Sequence, residues 1–331
     1  MELDSVNFQR TELRQALEFL AAKAKERTNQ ALNVVLIDPN HDLESKPVTL
    51  SLSRVPWSEA MRYTCELTGT TWQKEGNVIA VGAPAAVKTL QRQRTKIATG
   101  PGSENNQRRL DQMKISHVAF KESSLEEVAD YLRLMGRELT SKDPNALPFN
   151  VMIKENIAKP VATRKVSVDL AEIPMSELLH YVTGLVNCRY RIDARAVVIG
   201  ESEDLARPPG GPVNPRGPIF AQLAAKRIQA IDIPAGTTVG EFLEAVRTLG
   251  GVNGISLTDD AVASSRLAMQ DVTVLELIRY FNEASGTAFR LDRNAFVIAD
   301  DPAVPKKPRP PESLTTSLPK GGDASGLGFD P

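Results

Sequence analysis

Apolar positions recur at 13, 16, 17, 20 and 21, again at 125, 128, 129 and 132, and again at 239, 242, 243 and 246. That spacing is one face of a 3.6-residue turn, so it predicts an amphipathic helix in each stretch. A strand-like run precedes each helix: Val6–Phe8, Ile115–Phe120 and Ile228–Ile233. Two more runs follow each: Leu32–Ile37, Phe149–Ile153 and Ile255–Leu257, then Val48–Leu52, Val166–Leu170 and Arg266–Met269. In Val48–Leu52 and Val166–Leu170 apolar and polar residues alternate, as in a half-buried strand. A second helical stripe comes next, at Trp57, Ala60, Met61, Thr64 and Cys65, at Met175, Leu178, Leu179 and Val182, and at Val274, Leu277, Ile278 and Phe281. Closing hairpins turn at Gly76-Asn77, Asp193-Ala194-Arg195 and Asp292-Arg293-Asn294.

These sets are copies of one pattern. Val55–Tyr63 aligns with Ile173–Tyr181, 118 positions on, and with Val272–Tyr280, a further 99 on. The register holds without a gap through Gly69, Asn187 and Gly286 to Ile79–Val81, Val197–Ile199 and Phe296–Ile298. Repetition on this scale predicts an array of like units. The expected fold class is α+β: three tandem small βαββαββ domains at 3–82, 110–200 and 226–300. Linkers are expected at 83–109 and 201–225. A tail at 301–331, rich in Pro, Lys, Ser and Gly, is expected to be disordered. Ser124 with Glu127, Thr238 with Glu241 and Thr273 with Glu276 have the spacing of capping boxes, and Pro56 and Pro174 suit a first helical turn.

Composition narrows the function without naming it. Lys+Arg 40 against Asp+Glu 41 gives a net charge of -1, which offers no general pull toward nucleic acid or an anionic membrane. The one basic stretch (Lys88, Arg92, Arg94, Lys96, Arg108 and Arg109) falls in an expected linker without aromatics, so it reads as a solvated connector. Cys65 and Cys188 fall in different repeats with no CxxC, which supports neither a redox pair nor a zinc knuckle. No apolar run approaches the roughly 20 residues of a membrane helix. The first residues, Met1 to Val6, lack the basic segment and apolar core of a signal peptide. The residues alone therefore point either to a cytoplasmic scaffold or to an exported chain without its leader.

The run from Val48 to Met61, with Val55-Pro56, Glu59-Ala60, and then Gly69, Trp72 and Val78–Val81, resembles the short N-terminal domain of secretins and TonB-dependent receptors. Val166–Ile199 matches it equally well; Leu267–Ile298 matches less, with Thr273 in place of the proline. The resemblance spans all three repeats. It implies a periplasmic, cell-envelope setting and a role in binding protein partners or in self-association, accessory to a secretion or outer-membrane complex. Neither a secretin barrel nor a receptor barrel is recognisable in the chain.

Chemistry that would mark an enzyme is missing from the sequence. His41, His117 and His180 have no companion at a catalytic or metal-binding spacing. Gly250–Gly254 follows a helix instead of preceding one, which suits a helix stop better than a phosphate cradle. Glu59, Glu177 and Glu276 each fall in a first helical turn, where a carboxylate complements the helix dipole. The reading is a non-enzyme with no cofactor, no metal, no nucleic acid and no small-molecule substrate. Its alternative is a ligand-binding protein or enzyme that uses a cleft between domains. Tyr63, Tyr181 and Tyr280 recur at one position about 120° from the centre of the second stripe at ~100° per residue. They are the candidate partner-facing anchors.

Overall fold

Val78-Ile79-Ala80-Val81 and Ala196-Val197-Val198-Ile199 are apolar at every position, so strands built from them need cover on both faces. The structure, a computed structural model, describes residues 1–28, 32–94, 98–99, 103–140, 149–155, 160–205, 218–250, 255–257, 262–292 and 295–300. The first segment runs β1 (Glu2–Glu12), α1 (Leu13–Thr28), β2 (Asn33–Ile37), β3 (Pro47–Pro56), α2 (Trp57–Thr68), β4 (Thr71–Glu75) and β5 (Val78–Gly82). After α3 (Pro84–Arg94), β6 (Ala98–Thr99) and α4 (Glu104–Gln112) comes the second segment. It comprises β7 (Lys114–Ser124), α5 (Leu125–Thr140), β8 (Asn150–Ile153), β9 (Lys165–Pro174), α6 (Met175–Leu185), β10 (Arg189–Ile192) and β11 (Ala196–Gly200). Then follow α7 (Ser202–Leu205) and α8 (Pro218–Ala225). The third segment is β12 (Arg227–Ile233), α9 (Val239–Gly250), β13 (Ile255–Leu257), β14 (Leu267–Thr273), α10 (Val274–Ser285), β15 (Thr287–Asp292) and β16 (Ala295–Asp300).

The architecture is α+β, with helices packed on small sheets. β1, β7 and β12 pair antiparallel with β3, β9 and β14. A second kind of sheet has the orders β2-β5-β4, β8-β11-β10 and β13-β16-β15, its first pair parallel and its second antiparallel. β6 adds a parallel strand beside β10. Backbone detail follows the sequence register. Gly69, Asn187 and Gly286, each just past the second helix of its segment, have φ of 68°, 53° and 69°. Arg54, Glu172 and Asp271, near the end of β3, β9 and β14, have φ of 51°, 53° and 48°. A non-glycine residue with positive φ is uncommon, so its recurrence at matched positions shows that the local backbone path is the same each time.

The first two sheets of this second kind each join two cores. Ile79 and Val81 pack with Leu13, Leu17, Ala60 and Met61. Their neighbours Val35, Ile37, Val78 and Ala80 belong to the core of the second segment, with Leu125, Leu170, Leu178 and Tyr181. One step along, Val197 and Ile199 stay in that core, while Met152, Ala196 and Val198 enter the next, with Phe242, Leu267, Ile278 and Phe281. Residues Met1–Asp301 accordingly form one compact unit.

Several expectations need correction. The opening strands are longer than Val6–Phe8 and Ile115–Phe120, because β1 and β7 follow β3 and β9 through a bulge and almost to the ends of those strands. Ala24, not Ala21, completes the buried stripe of α1. Pro56 and Pro174 end strands and stand at the N-cap, not in the first turn. The stretch 83–109 is no bare connector, since α3 buries Val87 and Leu90 and the first turns of α4 bury Asn106. In 201–225, α8 buries Leu223. The tail at 301–331, most of the glycine run 250–254 and the third hairpin turn at 293–294 lie outside the described residues.

All three capping boxes form: Ser124, Thr238 and Thr273 each accept from the backbone of Glu127, Glu241 and Glu276 at 3.2 Å, and each glutamate accepts in return. Replacing Thr273 by alanine is expected to cost about 1 kcal/mol. A urea midpoint for T273A unchanged from the parent would show that the box contributes nothing.

Candidate functional site

The three tyrosines meet different fates. Tyr181 is fully buried and Tyr280 is 5% exposed, whereas Tyr63 is half-exposed with the Arg62 guanidinium 4.2 Å from its ring centroid. Tyr181 and Tyr280 are therefore not anchors for a separate protein. Each faces the segment before it. The Tyr181 hydroxyl donates to Glu75 at 3.3 Å, and the Tyr280 hydroxyl donates to Asp193 at 3.4 Å. Glu75 and Asp193 hold one register position, 118 residues apart, beside the closing hairpin turn. Burial, with Asp193 and Glu283 nearby, pushes the Tyr280 hydroxyl well above its ordinary range, so it stays a donor.

A second pair of contacts repeats in the same way. Asn33, first residue of β2, donates to the carbonyl of Ala171 at 2.9 Å and accepts from its N–H at 2.7 Å. Asn150, first residue of β8, does the same with Gln270, at 3.0 and 2.7 Å. Both asparagines are buried, and a side-chain amide here substitutes for the backbone of one more strand. Sequence reasoning missed them. The signal was available: Asn33 and Asn150 stand at the same position before apolar runs that align.

Beyond these shared contacts the junctions differ. Between the second and third segments Arg191 donates twice to Glu283, at 3.0 and 2.8 Å, and Lys154 lies 3.1 Å from the same carboxylate. Asp193 holds the other side of Arg191 at 2.9 Å. Glu283 stands at the register of Gly184 in the second segment. There a Cβ would sit 2.4 Å from Leu90 Cδ1, so the helix after the first segment occupies the space that the ion network fills at the other junction.

An open cleft of about 560 Å³ lies between the second and third segments, lined by Glu126, Glu155, Asp232, Ser264 and Arg266 among others. Its charged groups are engaged within the chain, with one another or with backbone amides. Arg266 bridges Asp232 at 2.7 Å, Asp130 at 3.1 Å and Glu126 at 3.2 Å, and its hydrogen bond holds Asp232 below the usual carboxylate range. Glu155 accepts from the Val161 and Ala162 amides. The cleft is thus wired as an electrostatic seam.

His117 contacts Asp169 at 2.8 Å on the surface, His41 lies 3.6 Å from Glu44, and His180 is buried beside Tyr181. Glu59 bonds Arg62, and Glu276 is both a capping residue and 3.3 Å from Arg195. Among the described residues no group of three or more His, Cys, Asp or Glu could hold a metal ion, and no helix is long and apolar enough to cross a membrane. No family model matches the chain, and no curated protein matches it.

Two measurements probe this geometry. Asn33→Ala should cost about 1–3 kcal/mol, because it strips two bonds from a partly buried strand, and Asn150→Ala should cost at least as much, because it also strips a third, to the Arg195 carbonyl. Glu283→Ala should cost more, about 3–5 kcal/mol, since it leaves the buried Arg191 and the half-buried Lys154 short of a carboxylate. Urea unfolding of the three variants checks both, and a negligible loss in N150A would refute the clamp. Separately, burial raises both thiols, that of Cys188 to about 12, so neither should react with a charged disulfide reagent at pH 8 until the chain is unfolded.

Proposed function

We infer that the chain is a non-enzymatic protein-binding and assembly module of the bacterial cell envelope, accessory to a secretion or outer-membrane complex. On this reading the three segments are tandem domains of the kind found at the N-termini of secretins and TonB-dependent receptors. The supporting observation is that one face of the unit serves twice as a docking surface for the sheet of another unit, through the same tyrosine–carboxylate and asparagine–backbone pairs. A module that docks on its own kind has the means to dock on related partners, and tandem copies raise the local concentration of each docking face. The polar groups around the cleft are already paired, which favours binding over turnover.

The cleft gives the alternative, a small-molecule binder, one concrete observation in its favour. A photo-crosslinking residue at Tyr63, introduced into the full chain in its host, should yield adducts with defined envelope proteins or with itself, and fractionation should place the chain outside the cytoplasm. A cytosolic chain without adducts overturns this reading. So does a large, saturable rise in melting temperature with one metal, nucleotide or glycan.

A further inference from the structure

Among the described residues, the docking face that is filled twice in the chain is left open once. Leu67 is 55% exposed, while its register equivalents Leu185 and Ala284 are 7% and 1% exposed. Leu50 and Leu52 are half-buried, while Val168, Leu170, Leu267 and Met269 at the same positions are buried. Tyr63, Ser53 and Ser58 are also more exposed than their counterparts. Among the described residues the first segment therefore carries, uncovered, the apolar patch that a neighbouring sheet covers in the other two. A patch of this kind with a hydroxyl-bearing aromatic at its margin has the composition of an interface core.

What fits it is read from the covered faces. The polar counterpart of Tyr63 should be a carboxylate at the register of Glu75 and Asp193, and in the third segment that position is Asp292, the last residue of β15. The first segment carries Glu66 at the register of Glu283. The third segment carries Arg290 at the register of Arg191. The sheet positions that enter the next core, Ala196 and Val198, have Ala295 and Val297 as their register equivalents. Two polar pairs and the apolar positions of the second junction thus recur between the chain's two ends. Only the asparagine does not, since its register position in the third segment is Gly254.

We propose that the β3–α2 face of the first segment is a docking site for a second copy of this chain, which presents its β15–β16 hairpin head to tail. This rests on the assembly reading above and names the partner. Without the asparagine clamp the contact is weaker than the internal junctions, so it is reversible and depends on concentration. A head-to-tail contact of this kind closes into a ring or grows into a filament, according to the rotation between copies.

Sedimentation velocity on the full chain across a wide concentration range tests it. The expected result is a weight-average mass that climbs with concentration. L67K and E66R should each weaken association roughly tenfold or more, as central apolar and charge-pair positions do. Adding R290E to E66R should restore association, with near-identical circular dichroism confirming that every variant is folded. A chain that stays monomeric throughout overturns the proposal, and so does association indifferent to Leu67 and Glu66. In the monomeric case, crosslinks from Tyr63 to other envelope proteins would still uphold the assembly reading, so the two failures are distinguishable.

Discussion

Strands that are apolar on both faces set the terms for this molecule. β5 and β11 each offer one row of side chains to the helices of their own segment and a second row to the segment that follows. An exposed sheet face of valine, isoleucine and alanine loses about 25 cal/mol for every Å² left in water. Stacking removes that loss for the first sheet and the second. The helices close one side of each sheet, and only another segment closes the other. This is why the described residues up to the third segment join in one compact unit although the sequence repeats three times.

Burial alone would let the segments slide over one another, because the hydrophobic effect has no direction. The polar contacts supply the register. An asparagine that both donates to and accepts from one strand residue fixes that strand to within one position, and a tyrosine hydroxyl on a hairpin carboxylate fixes the rotation. At the second junction the Arg191–Glu283 pair adds a further constraint in a buried setting, where orientation gains more than net stability does. At the first junction the same space is filled by Leu90 against Gly184. Two different solutions, one ionic and one apolar, thus support the same arrangement.

Much of this was legible in the residues. The order of elements, the helical stripes, the capping boxes and two of the hairpin turns follow from period and spacing, because they depend on contacts a few residues apart. The tyrosines were recognised as a recurring feature off the main stripe, yet their surroundings were not, since whether Tyr181 is exposed depends on a strand more than a hundred residues away. The helices in 83–109 and 201–225 escaped notice because proline, glycine and charge dominate those stretches, while a few leucines do the packing. The asparagine clamps were hidden for a related reason. A lone polar residue before a strand looks like a turn until the other strand is in view.

The matched junctions bear on how such a chain arises and changes length. Glu75 and Asn33 end the first segment with the same fittings that Asp193 and Asn150 give the second, and the surfaces they meet share the tyrosine and strand partners but differ at Gly184 and Glu283. Excision of the middle copy by recombination would bring tyrosine and asparagine partners together again, yet it would set Glu283 against Leu90, where only a glycine leaves room. A change of length in whole steps therefore reuses most of the contact and asks for one compensating substitution at that position.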